Sequence, residues 1–257
     1  MRQMQVSMSM WKNNRWSIIT GALLLILWEI ASRIVQIDHI LPGPISILKC
    51  LWELRETLLI QHLPSTLAAV LAGFILSALI GVFCAILMDR SPVLEAMIYP
   101  FILLTQTIPV MCITPLFVLW FGYTMGARIL AIILGTFFTI AVNTYDGFRL
   151  SRRETLELMT TYGGNSRQIF REVKLPTALP NLMTSLKITF PWAVVGAAVA
   201  EWLGATQGLG YYSKLMVTRM NGPAVYASVL LLTIIAMAGI ALIKWIDCRY
   251  VVWRNEI

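Results

Sequence analysis

The sequence predicts an all-α integral membrane protein of about six transmembrane helices, and three observations predict it. First, 58% of the 257 residues are hydrophobic and only 13% are charged, against about 25% charged in a soluble domain. With a mean hydropathy of +0.74, too little polar material remains to coat a core with water-facing groups. Second, the apolar residues gather into runs of about 20, the length a helix needs to cross a bilayer core. Third, the Lys and Arg residues sit in the short segments between those runs, as on the cytoplasmic loops of membrane proteins.

The runs cover residues 17–37, 64–88, 93–121, 128–148, 181–203 and 225–246. Lipid offers a backbone no hydrogen-bond partners, so each run is expected to be helical. The first contains Glu29 and Arg33, one helical turn apart, which an internal i,i+4 pair explains. No small-residue cleavage site follows it, so it reads as an uncleaved span. The third is interrupted by Pro100, Pro109 and Pro115, each of which removes a backbone donor. With the N-terminus inside, thirteen of the 20 Lys and Arg residues fall on cytoplasmic segments and five outside, Arg33 and Lys187 lying near helix ends. That bias places both termini in the cytoplasm. The net charge of +7 is spread over these loops, which argues against nucleic-acid binding. Cys50, Cys84, Cys112 and Cys248 form no C-x-x-C pair and read as small buried hydrophobes. His39 and His62 read as loop histidines, and no spacing suits a metal.

Two segments outside the spans carry structure of their own. After the turn signal Leu41-Pro42-Gly43-Pro44, residues 45–60 read as an outer amphipathic helix with Ile47, Leu48, Leu51, Leu54 and Leu58 near one face. Residues 149–180 form the longest cytoplasmic segment. Within it, residues 154–162 make a short helix with Glu154 and Glu157 at its positive end. Gly163 and Gly164 terminate that helix. Asn165 caps a second one, with Gln168 completing a capping box. The second helix carries Ile169, Phe170 and Val173 on an apolar side and Arg167, Arg171 and Lys174 on a basic side. Leu175-Pro176 closes it, and Pro180 precedes the fifth span. The physics alone leaves two readings open: a docking elbow, or a surface helix that covers the end of the bundle.

The spacing Glu157, Gly163, Val173, Leu175, Pro176 resembles the EAA loop of ATP-binding-cassette (ABC) importer permeases, with Leu158 and Met159 where that pattern has alanines. The resemblance runs from about residue 42 to the last span. Gln106-Thr107-Ile108-Pro109, PLFVLWFG from Pro115, NTYDG from Asn143, EWLGA from Glu201 and GLGY from Gly208 are similar to permeases of the nitrate, sulfonate and taurine group. Within it the likeness is to permeases for pyrimidine precursors of thiamine and related vitamin precursors. The resemblance implies a type I ABC importer (MetI-like) permease fold, a single transmembrane domain over residues 1–257 in a bacterial cytoplasmic membrane. It implies a homodimer, two ABC ATPase subunits and an extracytoplasmic substrate-binding protein. It marks Glu157, Leu158, Met159, Tyr162, Gly163, Gly164, Arg167 and Phe170 as the ATPase-docking residues. The chain has no G-x-x-x-x-G-K-[ST] loop and no Gly-Lys dipeptide, so ATP is expected on the partner subunit, with no cofactor, metal or catalytic residue here.

Polar groups within spans are costly and default to functional candidates. Gln106 and Thr107 precede Pro109 and are candidates for the translocation pathway, the competing reading being helix–helix hydrogen bonding. Asn143 near the inner end of the fourth span is similarly placed, whereas Asp146 reads as a structural partner of Arg149 or a neighbouring helix. Trp192 follows Pro191 and can stack on a flat ring, or simply pack. Glu201, near the outer end of the fifth span, reads as a gate or pathway group or as half of an ion pair. The expected cargo is a small organic solute, because an anion pathway would present more cations in the spans than Arg33 and Lys187. Sulfonates or nitrate are the alternative within the family. Two other classes remain open. An ion-gradient-driven secondary transporter would show paired broken spans, and a membrane enzyme would need convergent catalytic groups.

Overall fold

Backbone groups that lipid cannot satisfy close their hydrogen bonds within helices, and the protein is helical from one end to the other of what is described. A computed structural model describes the backbone of residues 2–251 and the side chains of residues 16, 18–249 and 251. Met1 and residues 252–257, with Arg254 of the charge count, lie outside the described residues, as do the side chains of Arg2, Lys12 and Arg15. In chain order the helices are α1 (Arg2–Val35), α2 (Pro44–Glu53), α3 (Leu63–Arg90), α4 (Pro92–Thr107), α5 (Val110–Phe121), α6 (Met125–Arg149), α7 (Arg153–Thr161), α8 (Ser166–Ile169), α9 (Leu175–Gly204), α10 (Leu209–Thr218) and α11 (Gly222–Tyr250). Two widened π turns lengthen the helices among the described residues: Thr57–His62 leads directly into α3, and Phe170–Lys174 joins α8 to α9.

Among the described residues, five segments have the length and apolarity to cross a membrane: Ile18–Val35, Thr57–Arg90, Met125–Arg149, Ser166–Gly204 and Gly222–Arg249. The expected third span is instead α4 and α5, bent by 98°. Of its three prolines, only Pro109 breaks the chain; Pro100 and Pro115 lie inside helices. Ile108, the residue before Pro109, has ψ 116°, the extended conformation that a following proline ring enforces.

Small residues set how the helices meet. On α3, Gly73, Ser77 and Gly81 recur every four residues and face Ile132, Thr136 and Ile140 on α6. A Cβ on Gly73 would sit 2.7 Å from Ile132 Cγ2, and the Ser77 and Thr136 hydroxyls share a 2.6 Å hydrogen bond. Close approach of backbones through small residues replaces the hydrophobic effect, which lipid weakens. The order of these contacts makes α3 and α6 parallel. The α4–α5 pair that links them must therefore carry the chain across the full thickness, as a broken span. Gly147 against Ala178 and Ile132 against Gly196 make α6 and α9 antiparallel. Phe190, stacked edge-on with Phe74, fits against Gly239 of α11.

The outer helix is shorter than expected. α2 ends at Glu53, and residues from Thr57 on already belong to the second span. Ile47 and Leu58 are buried, with Leu51 and Leu54 packed beside them, but Leu48 faces outward. Gly43 offers α2 no side-chain cap. Glu29 takes that role: Ile45 N–H donates to its Oε2 at 3.3 Å, while Arg33 Nε donates to its Oε1 at 2.9 Å. His62 is not in a loop; it is buried at the start of the second span. Cys112 and Cys248 are exposed rather than buried, Cys112 because it lines an open cavity beside α5. Burial, followed by the nearby Glu53 carboxylate, pushes the half-buried Cys50 thiol above its ordinary pKa.

Gly73→Ala is expected to destabilise the bundle by about 1–3 kcal/mol through overpacking. Ile132→Ala, added to it, is expected to relieve part of that cost. Thermal unfolding of the purified protein in detergent checks both, and strictly additive losses would contradict the Gly73–Ile132 contact.

Candidate functional site

Two places bring the singled-out residues together: the elbow of α7 and α8, and a cavity beside the α4–α5 break. The elbow is built by local hydrogen bonds. Gly163 adopts φ +80°. Its N–H donates to Thr160 O at 3.0 Å, and Gly164 N–H donates to Met159 O at 2.8 Å. Together these make a Schellman motif, which satisfies carbonyls left open at a helix end. A Cβ on Gly164 would meet Met159 O at 2.7 Å. Asn165 then starts α8 with a full capping box. Gln168 N–H donates to Asn165 Oδ1 and Asn165 N–H to Gln168 Oε1, both at 2.9 Å.

The exposed face of the elbow carries Glu157, Leu158, Tyr162 and Arg167. Tyr162 is 86% exposed and Leu158 56%, which is unusual for large apolar groups outside lipid. Glu157 accepts from Arg153 Nε at 2.8 Å. Met159 and Gly164 are half-buried in the turn. Phe170 turns the other way: its ring stacks 5.4 Å from Phe148 in the bundle. Lys174 also leaves the expected basic side, since its Nζ reaches the Asp89 carboxylate of α3 at 2.7 and 2.9 Å. Nor does Leu175-Pro176 close the second helix. At the π turn Leu175 N–H bonds to Phe170 O, five residues back, and the wider turn makes room for the Pro176 ring. The elbow therefore continues as one helix from Ser166 to Gly204.

The cavity has a volume of about 710 Å³. The α4–α5 break, from Thr105 to Cys112, forms one wall. Leu134, Gly135, Phe138 and Thr139 of α6 and Trp192, Val195, Gly196 and Val199 of α9 form the others. Gln106 and Trp192 thus line one space although they lie far apart in sequence, and none of the lining residues is charged. Thr107 is turned aside, with its hydroxyl bonded to Leu104 O at 2.8 Å. Asn143 stands one turn beyond the wall and donates to Thr139 O at 2.7 Å. Asp146 is exposed and does not hold Arg149. Arg149 instead donates to Glu95 Oε1 at 3.5 Å, reaching α4.

Glu201 lies outside the cavity, fully buried near the Gly204 end of α9. Its Oε1 accepts from Arg128 Nη1 at 3.4 Å. Its Oε2 accepts from Thr66 Oγ1 at 3.0 Å and from Gly210 N–H at 2.8 Å. Sequence reasoning missed Arg128 and Thr66 as its partners, and His62, which accepts from Gly208 N–H beside them at 3.2 Å. One signal was available for Arg128: it opens the fourth run where Glu201 ends the fifth, at the same membrane depth. Thr66 and His62 carry no comparable signal.

Residues 77–250 match the family model described as "Binding-protein-dependent transport system inner membrane component". The chain is 41% identical over 234 residues to the formylaminopyrimidine transport permease protein of Halalkalibacterium halodurans, covering 91% of this chain and 94% of that one. It is 28% identical to the putative aliphatic sulfonates transport permease protein of Bacillus subtilis, over 93% and 87% of the two chains. Among solved structures, an amino acid ABC transporter with histidines superimposes with a TM-score of 0.61 at 17% identity, over 73% of this chain and 91% of that one. At that identity the likeness establishes the fold alone.

Asn165→Ala removes one side of the capping box and is expected to destabilise α8 by about 1 kcal/mol. Amide exchange over residues 166–170 is expected to speed up about fivefold, with exchange in α6 unchanged. Equal exchange in both proteins would show that the cap does not hold the elbow.

Proposed function

This chain belongs to the family of binding-protein-dependent transport system inner membrane components, and from that premise we propose what it carries and how its parts divide the work. The family makes it a multi-pass inner-membrane permease of an ABC importer, a transport subunit rather than a catalytic one, with ATPase and binding-protein partners. The ion-gradient and membrane-enzyme readings fall with that membership. Beyond it, the proposed cargo is a flat, near-neutral nitrogen heterocycle of the formylaminopyrimidine kind.

The observation that carries the cargo reading is the uncharged cavity lined by Gln106 and Trp192, joined to the name of the 41% identical relative. An indole face suits stacking on a planar ring, and a carboxamide can match the donors and acceptors of a pyrimidine edge. An aliphatic sulfonate carries a full charge, which a slot without cations does not compensate. Thr107 and Asn143 flank the slot as second-rank pathway residues.

The elbow is the proposed seat of the ATPase. Leu158 and Tyr162 supply apolar contact, while Glu157 and Arg167 supply charge at the rim. Met159, Gly163 and Gly164 shape the turn, and Phe170 ties it to the bundle. Two copies of the chain, each with one ATPase, complete the proposed assembly. The end of α11 lies toward the elbow, since Asp247 accepts from Lys187 Nζ of α9 at 2.7 Å. The start of α11 meets the end of α1 at the opposite face, where Trp28 and Tyr226 stack. Both termini then share the elbow's side, which is proposed to be cytoplasmic.

Two measurements test this. In proteoliposomes holding the permease, its ATPase and its binding protein, ATP-dependent uptake of labelled formylaminopyrimidine is expected and excess taurine is expected not to compete. The opposite preference would refute the cargo reading. Trp192→Ala is expected to lower that uptake roughly two- to tenfold, as the loss of an aromatic contact of about 0.5–1.5 kcal/mol implies. Separately, Gly163→Pro and Glu157→Lys are each expected to release the ATPase on co-purification. Retention of the ATPase by both variants would remove the elbow as its seat.

A further inference from the structure

The outer end of the bundle contains a polar joint that the cavity does not use. Three consecutive backbone N–H groups, those of Gly208, Leu209 and Gly210, begin α10. Each is taken by a side chain from another helix. Gly208 N–H donates to His62 Nδ1 at 3.2 Å, Leu209 N–H to Thr66 Oγ1 at 2.8 Å and Gly210 N–H to Glu201 Oε2 at 2.8 Å. Thr66 links two of these, because its hydroxyl also donates to Glu201 Oε2 at 3.0 Å. Arg128 Nη1 closes the set from α6, donating to Glu201 Oε1 at 3.4 Å and to Ser65 Oγ at 2.9 Å. The aromatic rings of Tyr212 and Tyr211 lie beside His62 at 4.9 and 6.2 Å.

The open N–H groups of a helix start form an anion site. Here the protein fills that site with its own carboxylate, delivered by the last turns of α9. Gly208 has φ +124°, and a Cβ on it would run into the Glu201 carboxylate. The turn is thus shaped around Glu201. At the other end, α9 is continuous with α8. We propose that Glu201 is a positioning residue. Its carboxylate fastens α10 to α9, so that a displacement of the elbow reaches the external face of the permease. Substrate does not contact it. The outer helix, α10, follows α9 because a buried carboxylate and the N–H groups it satisfies cannot part without leaving charge and donors uncompensated. This goes beyond the cargo reading and rests on the proposed reading of the elbow as the cytoplasmic seat of the ATPase, whose own failure would show as retention of the ATPase by Gly163→Pro and Glu157→Lys.

The test uses the complete complex, permease with ATPase, in lipid nanodiscs. Glu201→Gln keeps the side chain's shape but turns an amide NH₂ toward either Arg128 or Gly210 N–H. It is expected to speed amide exchange at residues 208–210 and leave basal ATP hydrolysis within about twofold. Stimulation of hydrolysis by substrate-loaded binding protein is expected to fall about tenfold, within the usual range of coupling between sites. A role in folding alone would not separate basal from stimulated rates. Stimulation within about twofold of wild type in Glu201→Gln, or unchanged exchange at 208–210, would overturn the proposal. If Glu201→Gln does not assemble, Thr66→Val weakens the same joint with little change of shape and is read by the same two outcomes. Failure of both to assemble would also overturn it, as the cluster would then be a folding element. Failure of the cargo reading looks different: the wild-type complex would not respond to binding protein loaded with formylaminopyrimidine, while the exchange experiment would still report on the joint.

Discussion

From Ser166 to Gly204 the chain forms a single helix of 39 residues, and at about 1.5 Å per residue it spans roughly 58 Å. Three charge contacts hold it at intervals. Lys174 meets Asp89 of α3, Lys187 meets Asp247 of α11 and Glu201 meets Arg128 of α6. Charges of this kind contribute little net stability in a low-dielectric setting, yet losing one partner is costly. Their effect is on register: α9 cannot slide or rotate against its neighbours without stranding a charge. The small-residue contacts at Gly147 and Gly239 act in the same direction, since a shifted α9 would meet side chains where it now meets glycine. The elbow at one end of this helix and α10 at the other are therefore positioned by the same object.

The α4–α5 pair is the opposite case. Irregular backbone at membrane depth is tolerated only where protein covers it or where it lines a cavity. Pro109 forces such irregularity, and Ile108 N–H finds only a 3.4 Å bond to Thr105 O. The cavity beside the break is what that rule requires. It has one wall of bent, weakly bonded chain and two walls of braced helix. A change in its shape comes most easily from the bent wall moving against the braced ones. Gln106 rides on the bent wall and Trp192 on a braced one, so their separation is set by that motion.

Local signals were legible in the sequence and long-range ones were not. Gly163, Gly164, Asn165 and Gln168 act within a few residues of one another, and the elbow they build was readable from spacing alone. Gln106 and Trp192 were each flagged by a neighbouring proline, and the fold brings them together. The errors have physical origins. A π turn adds a residue to the helix and rotates everything after it by about 100° relative to a 3.6-residue projection. That rotation turns Lys174 to Asp89 of α3 rather than to the face a regular helix assigns it, whereas Phe170, which opens the turn, lies on the bundle side already. His62 was misread for a different reason: the second span begins at Thr57 rather than at residue 64 and takes His62 in. Pro100, Pro109 and Pro115 look alike as letters; only the conformation at Ile108 distinguishes the one that breaks the helix. The partners Lys174–Asp89, Lys187–Asp247 and Arg128–Glu201 stand 85, 60 and 73 residues apart, beyond any periodicity.

Those pairings also bear on what can pass. Lys174, Lys187 and Arg128 are each turned to an acidic partner within the protein. None of them reaches the cavity, whose lining has amide, hydroxyl and indole groups but no ion. A charged solute there would surrender its hydration without a counter-charge, a loss of many kcal/mol in a poorly polarisable slot. A neutral ring system surrenders far less and recovers some of it by stacking on Trp192. The proposed selectivity against charge does not require a tight binding site. It follows from where the cations have been spent: on holding α9 in register, which leaves the space beside it without a fixed field. The bracing of the long helix and the neutrality of the cavity are then two consequences of one arrangement of charge.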